Sequence, residues 1–364
     1  MAKTIGVGMI GASATGGWAK ESHVPAVGAL GGLELVAVAT QSQSSADAAA
    51  KAFGAQMGYG DAAAMFEDPA VDLVTVAVKV PAHREFMLGA LAAGKNVLCE
   101  WPLGRNTAES EELAAAAERA GVHVAIGLQT RANPAVRRSQ ELVHSGALGR
   151  ILSARVVSTT AAFGPAVSSE MTYAEDPASG VTVLSIQGAH TVDLAIALLG
   201  GFADISAIAA TEYVDIAIGN DAVAAKRTTP DHVLVQSRLV SGAILGIDVA
   251  GGYPADDTPF RFDVFGERGR LALIGGAVRG FQSGRLRLEL NGESLPSGSK
   301  ETDSLSDSAA NVADTYAAFR DDIVEGTHTV PDFDHAVRVS RLIDSVLASS
   351  SSGSRELAKD WPTR

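Results

Sequence analysis

The strongest constraint on the fold of this chain is a rhythm running from residue 4 to about residue 128, in which short apolar runs alternate with longer Ala-rich amphipathic stretches. Short apolar runs bounded by turns read as strands buried on both faces, and the stretches between them as covering helices. The spacing predicts strands at 5–10, 33–39, 73–78, 96–99 and 122–127, with helices at 44–53, 83–93 and 108–120. Such an alternation builds a doubly wound parallel sheet, so residues 1–128 are expected to form an α/β domain.

After residue 129 the rhythm changes. A helix over 134–145 is followed by β-rich runs at 151–159, 233–240, 243–249, 260–265, 270–274 and 285–290, with Ser241 and Gly242 at a hairpin turn. One apolar helix is expected at 191–199 and two closing helices at 312–324 and 335–348, while the Ser/Gly/Asp-rich stretch 297–308 reads as a loop. Residues 129–364 are therefore expected to form an α+β domain with a mostly antiparallel sheet, serving substrate binding and oligomerisation.

Composition narrows the partners. The formal net charge of -13 and the absence of a Lys/Arg-rich run argue against nucleic acid, whose backbone recruits basic surfaces. The single cysteine, Cys99, excludes an intramolecular disulfide and multi-cysteine metal sites, and the scattered histidines give no helical metal pair, so no metal site is expected. No secretory signal is legible at the start, and no run approaches the roughly 20 apolar residues of a membrane helix. A cytoplasmic protein with no membrane partner is expected.

The segment Gly11-Ala12-Ser13-Ala14-Thr15-Gly16 directly follows the first strand. Glycines there let backbone N–H groups approach a pyrophosphate at a helix N-terminus, the fingerprint of a dinucleotide-binding Rossmann domain, although Ser13 stands where the second glycine is usual. Gly17 and Trp18 stand where a Walker loop needs Lys and Ser/Thr. At the end of the second strand, Thr40-Gln41-Ser42 offers hydroxyls and an amide to the adenosine ribose but no carboxylate. The usual bias toward NAD is missing, so the cofactor is read as NAD(P), with NADP slightly favoured.

Ligands bind in the crevice beyond the carboxyl ends of such strands, which singles out Lys79. It could bind the cofactor ribose or transfer a proton; the alternative is a lysine that snorkels to water. His83 starts the helix beyond it and reads as serving that start. Past the next strand comes Glu100-Trp101-Pro102.

Together with the fingerprint and Gly188-Ala189-His190-Thr191-Val192-Asp193, this segment resembles the Gfo/Idh/MocA oxidoreductases over nearly the whole chain. In that family a Glu-Lys-Pro after a parallel strand supplies a catalytic lysine, and an Asp lies four residues before a His near a central helix of the second domain. Here Trp101 replaces the lysine and Ile186 the aspartate; His190 and Asp193 remain. Indole offers only a neutral N–H and isoleucine nothing, so proton transfer by the usual lysine is impossible. Gly16-Gly17-Trp18-Ala19, Val78-Lys79-Val80-Pro81, Glu100-Trp101-Pro102-Leu103 and Gly127-Leu128-Gln129 with Arg131 are similar to a subgroup that includes a fungal galactose-regulon corepressor.

The resemblance implies an NAD(P)-dependent oxidoreductase acting on a sugar, cyclitol or similar small hydroxyl or carbonyl compound, a homo-oligomer (dimer or tetramer). Lys79, His190 and Asp193 are the candidate catalytic residues; Gly11, Ser13, Ala14, Thr15, Gly16, Thr40, Gln41, Ser42, Lys79, Glu100 and Trp101 are the candidate cofactor-binding residues. His190 would accept a proton or hold substrate, with Asp193 one turn on to orient it; a satisfied core histidine is the bland alternative. Loss of both usual catalytic groups leaves a non-catalytic, cofactor-sensing regulatory protein as the alternative function, and redox-neutral chemistry with a recycled cofactor as a third.

Overall fold

The structure, a computed structural model, describes residues 4–296, 302–358 and 360–362. The chain divides into two compact units, Met1–Ala132 with Ser299–Val337, and Asn133–Gly298 with Arg338–Arg364. The expected division placed everything after 128 in one domain, yet the long helix Asp307–Glu325 belongs with the N-terminal unit. Its Val312, Ala313, Tyr316 and Phe319 share one buried cluster with Ile5, Val7, Val27, Leu73 and Leu98. A helix's own periodicity shows that it has an apolar face, not which body covers that face.

The first unit is a six-stranded sheet of β1 (Ile5–Ile10), β2 (Leu33–Ala39), β3 (Met57–Tyr59), β4 (Leu73–Val76), β5 (Asn96–Glu100) and β6 (Val124–Gly127). Every pairing is parallel and the order is β3-β2-β1-β4-β5-β6, so the strand order reverses between β1 and β4. β1 and β4 are buried at every residue, as expected of strands covered on both faces. The connections run through α1 (Val24–Ala29), α2 (Gln43–Phe53), α3 (Ala62–Phe66), α4 (His83–Ala92) and α5 (Thr107–Ala120). Capping residues set their limits: Ser42 accepts from the Ser45 N–H and Asn106 from the Glu109 N–H, while left-handed Gly54 and Gly121 stop α2 and α5. β4 ends at Val76, two residues short of the expected strand, which leaves Val78 and Lys79 in the turn beyond it.

In the second unit, α6 (Pro134–His144) leads to β7 (Ile151–Thr159), β8 (Ala166–Val167) and the core helix α7 (Ala189–Leu199). Ten further strands follow: β9 (Asp204–Ala210), β10 (Asp215–Ile218), β11 (Val223–Lys226), β12 (His232–Arg238), β13 (Ile244–Ala250), β14 (Phe260–Gly266), β15 (Arg270–Gly275), β16 (Arg287–Leu290), β17 (Glu293–Leu295) and β18 (Glu356–Leu357). Nine strands form one sheet in the order β17-β16-β15-β14-β7-β13-β12-β9-β18, antiparallel except where β7 meets β13. The turn at Ser241 and Gly242 joins β12 to β13 as expected, with Gly242 at φ 89°. One sheet face buries Val156, Val235, Ile247 and Phe262; the other presents Val157, Leu234 and Ile244 among Arg155, Gln236 and Arg238.

The stretch 177–199 is, contrary to expectation, long and apolar enough to cross a membrane by length and composition, but it is mostly buried inside the protein as the core helix of the second unit. Part of the expected loop at 297–308 lies outside the described residues, and Asp307 already begins a helix. The closing helix Phe333–Ser352 spans the boundary between the two units.

Candidate functional site

The glycine-containing turn occupies the carboxyl end of β1, at the reversal of strand order. Gly11 has φ +92°, and a Cβ there would lie 2.4 Å from the Ala77 carbonyl oxygen, so only glycine fits. Above Gly16 and Gly17 the space is open: a Cβ on either would meet nothing within 4 Å. Gly17 has φ +105°, a left-handed backbone that favours glycine, whereas the sequence fingerprint ended at Gly16. Ser13 Oγ lies 2.9 Å from Thr15 Oγ1 and accepts from the Thr15 N–H at 3.3 Å, so the serine in place of a second glycine folds onto its own turn. Lys20, overlooked in the sequence, donates to the Ala14 carbonyl at 2.7 Å and brings an ammonium to the turn.

Beyond β2 a cluster of hydroxyls caps α2. Thr40 Oγ1 is 2.6 Å from Ser45 Oγ, and Ser42 Oγ lies 2.9 Å from Ser45 Oγ and 3.3 Å from Ser44 Oγ. Gln41 and Ser42 are exposed beside it. The cluster combines hydroxyl donors with the N–H groups of a helix start and contains no carboxylate.

Lys79 is exposed in the turn after β4. His83 does not cap α4, which departs from the sequence reading. Its ring is buried, with Nδ1 2.9 Å from the Pro102 carbonyl and Nε2 3.0 Å from the Val78 carbonyl, so it clips the Lys79 turn to the segment after β5. Burial pushes its pKa below the ordinary histidine value while the two carbonyls pull the other way. Trp101 is 7% exposed and joined to Pro102 by a cis peptide. Cys99 is buried, and burial with the neighbouring Glu100 charge pushes its thiol pKa up, so it stays protonated.

Glu100 ends β5 with its side chain 18% exposed. Its Oε1 is 2.9 Å from Nε2 of fully buried His23, whose Nδ1 lies 3.0 Å from the Tyr316 hydroxyl; that hydroxyl is 2.7 Å from Thr75 Oγ1. Burial pushes the Tyr316 pKa far up, so the phenol keeps its proton. His23, Thr75 and Tyr316 were all missed in the sequence. No local signal marks them, because the partners of His23 stand 77 and 293 residues away.

In the second unit, His190 and Asp193 lie on α7, buried to 6% and 1% exposure, and Ile186 is half-buried one turn before His190. Gln187 Nε2 donates to Ser158 Oγ at 2.7 Å, and the Thr191 hydroxyl, which donates to the Gln187 carbonyl at 2.7 Å, sits 2.8 Å from the same Ser158. These bonds pin the start of α7 to β7. Arg227, also missed, is buried: its Nε and Nη2 donate to both oxygens of Glu175 at 2.9 and 2.8 Å, and Nη1 lies 3.4 Å from Asp231 Oδ2. Its remaining donors reach the carbonyls of Phe163 and Gly164. The guanidinium thus fixes the loop 161–179. Among the described residues, no group of three His, Cys, Asp or Glu side chains is arranged to hold a metal ion.

This assembly of strand order and glycine turn defines a class before any comparison: a dinucleotide-binding doubly wound domain joined to an α+β partner. A model of the oxidoreductase family with an NAD-binding Rossmann fold matches residues 5–128, and a model of the Gal80p C-terminal domain matches residues 134–275. Residues 5–128 thus match the Gfo/Idh/MocA oxidoreductase model and residues 134–275 the Gal80-like one, the two likenesses that the sequence motifs implied. It is 29% identical over 329 residues, 88% of both chains, to the dehydrogenase aclE of Aspergillus oryzae. Over 298 residues it is 27% identical to the galactose/lactose metabolism regulatory protein GAL80 of Saccharomyces cerevisiae, covering 76% of this chain and 68% of that one. A crystal structure of a super-repressor mutant of Gal80p from the same yeast shares the fold with a TM-score of 0.86 at 22% identity, over 97% of each chain. Levoglucosan dehydrogenase in complex with NADH and L-sorbose does so with a TM-score of 0.81 at 20% identity, over 98% of this chain and 100% of that one.

Proposed function

We propose that this chain is an NAD(P)-dependent dehydrogenase or reductase acting on a sugar, cyclitol or similar small hydroxyl or carbonyl compound. The observation that carries the reading is the open space above Gly16 and Gly17 at the carboxyl end of the central strand. Backbone N–H groups there, with Ser13, Ala14, Thr15 and the Lys20 ammonium, fit a pyrophosphate. Thr40, Gln41 and Ser42 would meet the adenosine ribose, and their lack of a carboxylate slightly favours NADP. Lys79, Glu100 and Trp101 lie at the same sheet edge and would meet the rest of the cofactor. When bound, the nicotinamide supplies hydride transfer; the protein's part is to hold it and to handle one proton.

Lys79 in the first unit and His190 with Asp193 in the second are the proposed proton-handling groups, and Trp101 a wall for stacking. Support comes from aclE, a dehydrogenase similar over most of both chains. The reading includes a cytoplasmic homo-oligomer, dimer or tetramer, checked by sedimentation.

Titration with NADH and NADPH, followed by fluorescence, tests the cradle. Gly16→Leu fills space that no protein atom uses, so melting temperature is expected to hold while coenzyme affinity falls at least about tenfold, or 1.4 kcal/mol. Unchanged affinity would remove the cradle, and with it the function.

The regulatory reading is favoured by one specific observation, the Gal80-type second domain combined with Trp101 and Ile186 at the usual catalytic positions. Coenzyme binding without turnover of any sugar or cyclitol, together with coenzyme-dependent association with another protein, would establish it instead.

A further inference from the structure

We propose that Glu100 and His23 form a further proton-accepting pair, sharing with Lys79 and His190 the proton handling for which Trp101 is incompetent. The proposal rests on the dehydrogenase reading above and concerns residues of the first unit alone. Glu100 immediately precedes Trp101 and closes β5 at the carboxyl edge of the sheet, the edge that also carries the glycine turn. One carboxylate oxygen, Oε1, is held by His23; the other has no bonded partner among the described residues, and the side chain keeps 18% of its surface exposed. A carboxylate anchored on one side and open on the other is placed to exchange a proton with a ligand.

The network behind Glu100 can store that proton without moving a heavy atom. In one arrangement Thr75 donates to Tyr316 oxygen, Tyr316 donates to His23 Nδ1, and His23 Nε2–H donates to the ionised carboxylate. In the other the received proton sits on the open oxygen of Glu100, while His23 Nε2–H goes on donating to Oε1 and the bonds of Tyr316 and Thr75 are unchanged. The second arrangement holds one more proton than the first, and no other hydrogen moves between them. Thr75 is fully buried, so the chain ends there and the added proton stays at the histidine–carboxylate end. Trp18 and Tyr316 meet the His23 ring edge-on at 6.5 and 5.7 Å and hold its plane.

The titratable groups facing Glu100 are His23, Tyr316 on the helix Asp307–Glu325, Cys99 on its own strand and His83 on α4. Tyr316 and Cys99 stay protonated, and burial holds the His83 pKa below its ordinary value, so none of the three competes for that proton. In the proposed step the pair takes the O–H proton of a substrate hydroxyl as that carbon becomes a carbonyl, the hydride passing to the oxidised nicotinamide; reduction runs the reverse. Glu100 is the acceptor and His23 the residue that positions it.

The experiment compares the full chain with Glu100→Gln, Glu100→Ala and His23→Asn, offering D-glucose, D-galactose, D-xylose and myo-inositol with NAD+ and with NADP+. Glutamine keeps an acceptor for His23 but cannot take a proton. The expected result is a fall in kcat of about 100-fold or more, with NADH or NADPH affinity changed less than about tenfold and melting temperature unmoved. Added formate is expected to restore turnover to Glu100→Ala, and His23→Asn to displace the pH profile of kcat. Turnover by the wild type that Glu100→Gln leaves intact, or a loss confined to coenzyme affinity with saturated kcat unchanged, overturns the pair alone. Wild-type protein that binds coenzyme yet converts no member of the panel overturns the dehydrogenase reading as well.

Discussion

Each unit buries a polar cluster, and the two are built in opposite ways. In the second unit Arg227 meets Glu175, Asp231 and two carbonyls, and Asp231 in turn accepts from the Glu212 and Tyr213 N–H groups. Every strong valence is closed and both carboxylate side chains are at most 9% exposed, so the cluster can do little except hold the segments 161–179 and 211–231 in place. In the first unit the chain Thr75–Tyr316–His23–Glu100 is linear and open at the carboxylate end. A closed cluster fixes shape; an open one leaves a group able to react.

Arg227→Ala breaks the closed cluster and carries the largest expected effect, a loss of about 3–5 kcal/mol in chemical denaturation, because two buried carboxylates are left uncompensated. A loss below about 1 kcal/mol would erase the contrast.

Asp322 sharpens it from within the first unit, since this carboxylate is satisfied without any cation. It accepts from Thr327 Oγ1 at 2.6 Å, from the Thr329 N–H and hydroxyl at 2.8 and 2.9 Å, and from the Val330 N–H at 3.0 Å. Burial raises its pKa, but these bonds outweigh burial and hold it below the usual carboxylate range. A depressed folded pKa contributes stability that is present above the unfolded value near 4 and lost as pH falls through the folded one. Asp322→Ala is therefore expected to cost about 2–3 kcal/mol at pH 7 and less at pH 2, read from denaturation at both pH values.

Removing the Tyr316 hydroxyl tests the linear chain itself. Tyr316→Phe strips both His23 Nδ1 and Thr75 of their partner at unchanged ring packing, and about 1–2 kcal/mol is expected in the same measurement. The smallest effect is expected at the α2 cap, where Ser42→Ala should cost about 1 kcal/mol and weaken NADPH binding more than NADH binding.

The parallel sheet was legible because strands buried on both faces leave continuous apolar runs, and the limits of β1 and β2 match those runs. The small sheet of β8, β10 and β11 was not legible. Its strands are short, and Val223–Lys226 is largely exposed, so no apolar alternation marks them. At the site, Gly11 and Gly16 could be read from spacing, but the space above Gly17 and the reach of Lys20 come from the backbone path. Glu100 was singled out only as a likeness to a motif. Its partnership with His23 depends on contacts between distant strands and helices, which one sequence does not encode locally. Arg227 carried no signal at all, since an isolated arginine in a sequence is indistinguishable from a solvated one.

The chain enters the first unit twice, and the second visit supplies Tyr316 and Phe319 to the interior that Ile5 and Val7 began. Synthesis runs from one end, so the nascent amino-terminal half emerges with an apolar wall missing and must wait until the intervening body has been translated. A truncated product ending before the helix Asp307–Glu325 would expose that wall to solvent, a form that cellular quality control recognises and removes.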